Sequence, residues 1–348
     1  MRVSSERRQL TGSRASRAIP TYLAYGLRVR SEIALDAPLT HASRCDLEIR
    51  RGVRRPIPHA LPEGQLLAHV DLPNGGSSLT RGPGGYVWRV DGVCDFALDR
   101  TLRAAHVHMA PDTEDEFGSL LLGSFLADVL TLNGCCVLHA SAIEVGGDAI
   151  AFIGGSGSGK STLAALCCIA GARVVTDDVL RVELQDGGGR CFSGSHALRL
   201  RPGSAALTEH LQAATRHSTI DERTAVLPDP ARAVTFPIAA VVAPRYARDS
   251  RELRVARLRG SAALLELLRS PRSTGWIGAE RARTDLNVLA DLVATVPVYR
   301  AELPLGPRVD PGLGRDLLGL IGIESVDPAP APVGTRAHDG RGALVSET

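Results

Sequence analysis

Hydrophobic and polar positions divide the chain by their period. From Thr21 to about Ala110, apolar residues alternate with polar ones in short segments broken by Gly, Pro and Asn. Leu27–Ile33, Cys45–Ile49, Leu66–Leu72, Tyr86–Val90, Phe96–Leu98 and Ala105–Met109 follow this pattern, which predicts strands. Trp88 and Tyr86 are expected to pack in the core of that region. Over Glu114–Leu132 the period lengthens: Leu120, Leu121, Phe125, Ala127, Val129 and Leu130 form an apolar stripe, with acids at 114–116 suited to a helix start and Gly134 to its end.

Beyond that helix the two periods alternate. Strands are predicted at Cys136–Val145, Ala149–Ile153, Arg173–Thr176, Leu180–Leu184, Leu198–Leu200, Ala239–Ala243 and Val298–Leu303. Helices are predicted at Ser161–Ile169, Ala262–Arg269, Ala279–Thr295 and Gly312–Ile321. The reading is a disordered start over residues 1–18, a smaller β-rich region over 19–112, an α/β region over 113–326, and a disordered tail over 327–348.

Composition narrows the function classes. A net charge of +2 with arginines spread along the chain gives no sustained basic face, so nucleic acid is not an expected partner. No apolar run reaches the roughly 20 residues of a membrane span, and residues 1–17 lack a signal-peptide core. The expected location is cytoplasmic. Seven cysteines, without a C-x-x-C or Cys/His zinc spacing, are expected to be small buried apolar residues. Of the 40 Lys and Arg residues, Lys160 alone is lysine.

That lysine sits in Gly154-Gly-Ser-Gly-Ser-Gly159-Lys160-Ser161, which fits G-x-x-x-x-G-K-[ST]. Glycines let successive backbone N–H groups curl around phosphate oxygens without Cβ clashes. The helix starting inside the motif aims its positive end at the same anion. The ammonium reaches the β- and γ-phosphates, and the Ser161 hydroxyl takes a Mg²⁺ position. A planar guanidinium does not replace a compact ammonium there, so the exception to the arginine bias coincides with the position where the chemistry demands it. The strand after the motif helix ends at Asp177-Asp178, 18 residues past Lys160. A tight βαβ unit with adjacent strands would bring both carboxylates beside the phosphates, to ligate Mg²⁺ or accept a hydroxyl proton.

Leu138-His139-Ala140, Gly154 to Thr162, and Gly171-Ala-Arg-Val-Val-Thr-Asp177-Asp178 together resemble the catalytic core of HPr kinase/phosphorylase, a P-loop kinase family related in architecture to phosphoenolpyruvate carboxykinase. The resemblance covers about residues 134–182. It implies a P-loop-containing, HPr-kinase-like α/β domain that uses ATP and Mg²⁺. Gly154, Gly155, Ser156, Gly157, Ser158, Gly159, Lys160, Ser161 and Thr162 would bind ATP. Ser161 would hold the metal, Asp177 would support the metal or the base, Asp178 would be the general base, and His139 would lie near the transferring phosphate. Arg245 aligns only loosely with a charge-stabilising arginine and reads better as a solvated surface residue.

Two departures bear on the acceptor. Where the family has a second metal-binding glutamate, this chain has Leu198-Arg-Leu-Arg201, and no spacing selects Glu183 or Asp186 as its replacement. The segment that docks HPr and supports phosphorolysis is not recognisable. The whole layout, with Tyr25-Gly-Leu-Arg-Val-Arg-Ser-Glu32 ahead of the core, is similar to HPr-kinase-like proteins encoded beside peptide-tailoring enzymes, including lasso-peptide kinases. The resemblance implies a serine kinase acting on a peptide or small protein. A small-metabolite kinase of the same fold and a non-catalytic ATP-binding module remain alternatives, and the oligomeric state is open.

Overall fold

The computed structural model describes residues 18–72, 75–211, 216–219, 222–247, 252–277, 279–304 and 309–323. The expected disordered start and tail, apart from Ala18, lie outside the described residues. The protein is a mixed α/β structure with several sheets.

The alternating segments build the first sheet. It contains β1 (Thr21–Ala24), β2 (Leu27–Ser31), β3 (Leu47–Arg51), β4 (Gln65–Leu72), β5 (Gly75–Gly82), β6 (Gly85–Val90), β7 (Cys94–Asp99) and β8 (Ala104–Met109). Their order is β1-β2-β3-β8-β7-β6-β5-β4. The β2–β3 and β3–β8 pairs are parallel. Helix α1 (Asp115–Leu132) covers this sheet and shares its core. Phe96 stacks on Phe125 of α1 at 4.6 Å and meets Trp88 edge-on at 5.3 Å, so Trp88 packs the core as expected.

The second sheet begins with β9 (Cys136–Leu138), β10 (Ala140–Val145) and β11 (Asp148–Ile153), followed by α2 (Lys160–Ile169) and β12 (Arg173–Thr176). Next come β13 (Leu180–Gln185) and β14 (Gly188–Phe192). Strands β15 (Leu198–Leu200), β16 (Arg216–Ser218) and β17 (Thr224–Val226) form a small sheet of their own. The chain then returns through β18 (Thr235–Ala247), β19 (Arg254–Leu258), α3 (Gly260–Leu268), α4 (Ala279–Thr295), β20 (Val298–Pro304) and α5 (Leu313–Leu320). The second sheet runs β12-β10-β11-β18-β14-β13-β9, with β20 joining β18 and β19 joining β20.

Period-two alternation assigns its faces. Ile150 and Phe152 of β11 pack with α2 and α5, whereas Ala149, Ala151 and Ile153 pack with α3 and α4. Both faces are therefore covered, as a sheet of near-continuous apolar strands requires.

Two expectations are corrected. Strand β12 is not adjacent to β11, because β10 lies between them and pairs antiparallel with each. A helix about 10 Å wide spans two strand spacings of about 4.8 Å, so α2 crosses over one strand instead of none. The predicted strand Cys136–Val145 is two strands broken at His139. Before the break the chain pairs with β13; after it, with β11 and β12.

The two large sheets meet at the β1–β2 turn. Tyr25 is 2% exposed and has φ of 55°, and its ring lies against Gly194. A Cβ on Gly194 would overlap that ring and the Thr176 hydroxyl. Gly194→Ala is expected to lower stability by about 1–3 kcal/mol, the usual cost of overpacking, seen as a fall in the thermal unfolding midpoint.

Candidate active site

The glycine-rich loop joins β11 to α2. Gly154, Gly157 and Gly159 have φ of 141°, 81° and 104°, a region that side chains rarely adopt. Helix α2 starts at Lys160 with no side-chain cap, so its first-turn N–H groups face the loop. Lys160 is 6% exposed, and its Nζ donates to the carbonyls of Gly154 (2.8 Å) and Gly155 (3.0 Å). Burial pushes this ammonium down to about 8, against the opposing pull of Asp177 and Asp178. The buried Ser158 Oγ has no hydrogen-bond partner. Ser156 accepts a bond from Arg201 at 3.0 Å, and Thr162 Oγ1 lies 2.9 Å from Ser204 Oγ.

Asp177 and Asp178 stand at the end of β12 and face different partners. Asp177, 4% exposed, accepts from Ser141 Oγ at 2.5 Å, from Ser161 Oγ at 2.9 Å and from the Arg199 backbone N–H at 3.1 Å. Asp178 has φ of 70°, and the Val179 N–H bonds the Asp177 carbonyl across it at 2.9 Å, the pattern of a three-residue turn. A non-glycine residue in this region is strained and persists only where its surroundings hold it. Asp178 is held by His139 Nε2 at 3.0 Å, Arg272 Nη2 at 2.8 Å and Arg199 Nη2 at 3.2 Å. Burial is the largest single influence on this carboxyl and pushes it up. The combined pull of Arg272, His139 and Arg199 outweighs burial and keeps it well below the usual carboxylate range.

The structure thus brings together the residues singled out in the sequence. His139, Ser156, Gly157, Gly159, Lys160, Ser161, Thr162, Asp177 and Asp178 line one cavity of about 330 Å³. Gly154, Gly155 and Ser158 complete the loop behind it. Arg245 does not line it; its guanidinium pairs with Glu266 of α3 at 2.7 Å, alongside Arg300. Glu183 pairs with Arg181, and Asp186 sits in the β13–β14 turn, so neither replaces a metal-binding glutamate.

In place of that acid, β15 and the residue after it carry arginines. Leu198 and Leu200 enter the core, while Arg199 and Arg201 point to the cavity, which Arg223 also lines. The alternation of Leu198-Arg-Leu-Arg201 carries that signal; Arg272 and Ser141 have no comparable one. Tyr25 is a further residue missed in the sequence. Its ring packs against Gly194, and the carbonyl of the next residue, Ser195, accepts the Asp177 N–H at 2.8 Å, so Tyr25 packs against the segment that holds the acidic turn.

A divalent ion fits Ser161 and Asp177, a hydroxyl and a carboxylate at the helix start. Among the described residues no group of three or more His, Cys, Asp and Glu side chains converges on a metal position. Such an ion would therefore draw its remaining ligands from phosphate oxygens and water. The glycine loop, the partnerless Ser158 hydroxyl and the basic lining are equally suited to a phosphate chain.

No protein-family model matches the sequence, and no curated protein is significantly similar to it. Among solved structures, the chain is similar to the Hpr(Ser) kinase/phosphatase from Coxiella burnetii, with 10% identity and a TM-score of 0.28. The alignment covers 53% of this chain and 93% of that one. At that level of similarity the functional reading rests on the site's own geometry. No helix among the described residues is long and apolar enough to cross a membrane.

The Asp178 cluster gives a pH prediction. A carboxyl whose folded pKa lies below its unfolded value near 3.8 adds stability above that value, and the contribution is lost as pH falls through the folded pKa. Arg272→Met removes the strongest of the attractions and leaves Asp178 under-paired. The expected loss is roughly 1–3 kcal/mol at neutral pH, with the acid-unfolding midpoint shifted to higher pH, both followed by circular dichroism.

Proposed function

We propose that the chain is an ATP-dependent phosphotransferase of HPr-kinase-like type that phosphorylates a serine-type hydroxyl. The observation that carries this reading is the convergence on one cavity of the lone lysine, the Ser161–Asp177 pair and the ion-paired Asp178. The triphosphate would lie along Gly154–Thr162, with Lys160 and Arg201 meeting its charge. Tyr246, Pro304 and Val309 offer an apolar wall for the base. Bound Mg²⁺, on Ser161 and Asp177, would supply charge neutralisation across the phosphates.

Asp178 would orient the acceptor hydroxyl and take its proton. The acceptor oxygen bonds the γ-phosphorus, the bond from that phosphorus to the β–γ bridging oxygen breaks, and the nucleoside diphosphate leaves with the electron pair. A carboxylate held ionised by two arginines is a weak base. Its contribution is therefore positioning, together with accepting a proton late in a loose transition state, as phosphoryl transfer generally requires. Arg199 and Arg272 keep it charged, and His139 fixes the carboxylate plane.

The acceptor is a peptide on the resemblance, a precursor of lasso type included. A second reading, a small hydroxyl compound, is favoured by a bounded cavity of about 490 Å³ behind the Asp178–Arg199 pair. That volume suits a metabolite or a short chain segment, not the face of a folded protein.

Asp178→Asn tests the base. Nucleotide affinity should stay within a few-fold, while phosphoryl transfer falls by roughly 10²-fold or more; full turnover in this variant would remove Asp178 from the chemistry. The Lys160 ammonium gives a second test. Its pKa near 8 in the free protein must rise when phosphate binds, so binding takes up a proton above that pH. Affinity for ATP, measured by calorimetry, should fall up to about tenfold per pH unit above 8. Lys160→Arg should bind weakly at every pH and lose that dependence.

A further inference from the structure

The two cavities share a wall made of Asp177, Asp178 and Arg199. Their charges differ on either side of it. Among the described residues, the loop-side cavity has Lys160, Arg201 and Arg223 in addition to the shared wall. The far cavity has no additional basic residue and gains Asp36 and Glu116 instead. Asp36 and Glu116 come from separate places, the segment after β2 and the first turn of α1, and both are exposed. Neither makes a side-chain hydrogen bond or an ion pair among the described residues. The remaining lining is largely apolar, including Leu35, Leu120 and Val179, with Tyr25 at the first sheet's edge.

Resting on the phosphotransferase reading above, we propose that the far cavity is the acceptor site and that it selects a hydroxyl compound bearing a positive charge. An apolar pocket with acids at its rim concentrates cations and repels anions, and it does so on the side away from the triphosphate. A cationic acceptor enters with its charge toward Asp36 and Glu116 and its hydroxyl toward Asp178. An anionic acceptor would meet Asp36 and Glu116 at the rim, while the cations at the wall, Arg199, Arg272 and His139, are already engaged with Asp178. The same chemistry is presented by a free amino alcohol and by a serine beside a lysine or arginine in a short peptide.

The test uses the full chain and three small probes of similar size: ethanolamine, propanol and glycolate. Their binding is read by ligand-observed NMR with and without ATP analogue, and phosphoryl transfer from ATP is read separately. Ethanolamine should bind best and glycolate worst, with adjacent probes separated by roughly three- to tenfold, the scale of exposed charge pairs. Combined Asp36→Lys and Glu116→Lys substitution should invert the order and leave ATP affinity unchanged; Asp36→Asn with Glu116→Gln should flatten it. N-acetyl Ser-Lys and Ser-Glu amides form the peptide arm, and the series with the larger kcat/KM identifies the source of the acceptor. Equal binding of the probes, preference for glycolate, no binding at all, or an order untouched by charge reversal would overturn the proposal. Charge-ordered binding without phosphate in any product would overturn the phosphotransferase reading and leave the cavity's charge selectivity in place.

Discussion

One carboxylate ties the architecture together. Asp178 sits in a left-handed conformation at the end of β12, held by a histidine at a strand break, an arginine of the small sheet and an arginine beyond α3. These partners lie far apart in sequence and come from different layers of the fold. Burial opposes the charge on this group, and the surrounding cations outweigh it. The fold thereby holds a half-buried anion in a fixed orientation.

The strained turn also separates the duties of two neighbouring acids. Adjacent residues in a strand point to opposite faces, and the positive φ at Asp178 extends that divergence past the strand end. Asp177 turns toward Ser141 and Ser161, the start of the helix. Asp178 turns toward the arginines and lies in the wall between the cavities. The glycine loop, the small sheet and α1 are placed around that wall, with basic residues on one side and acids on the other. Tyr25 packs beneath it, against Gly194.

The local parts of this arrangement were legible in the sequence. The glycine loop, Lys160 and the strand-ending acids depend on short-range geometry, which a motif records. The helices over 115–132 and 279–295 were legible because their periods are long and regular. Six strands have no counterpart among the named segments: β1, β5, β14, β16, β17 and β19. Of these, β5 (Gly75–Gly82) and β14 (Gly188–Phe192) are glycine-rich, β1, β16 and β17 are three or four residues long, and β19 (Arg254–Leu258) carries arginines on an outer position of the sheet. Their pairing comes from partners elsewhere in the chain, not from their own residues. The same reason hid Arg272: one arginine among many has no local mark, and its role exists only where the 270–272 segment lies along β9. The insertion of β10 between β11 and β12 was equally invisible, since spacing fixes the length of a crossover and not what it crosses.

Residues 271–277 have a consequence of their own. This strap bonds β9 through the Arg272 N–H and Val137 carbonyl, and bonds β4 through the His69 N–H to Gly275 and the Ile277 N–H to Leu67. It therefore stitches the two large sheets together, with Arg272 near one end of the seam. Cutting the chain after β8 would leave the glycine loop whole, yet it would unpick the seam that carries the Asp178 counter-ion and withdraw Tyr25 from beneath the turn. The first sheet is thus tied through this strap to the segment that supplies Arg272 to Asp178.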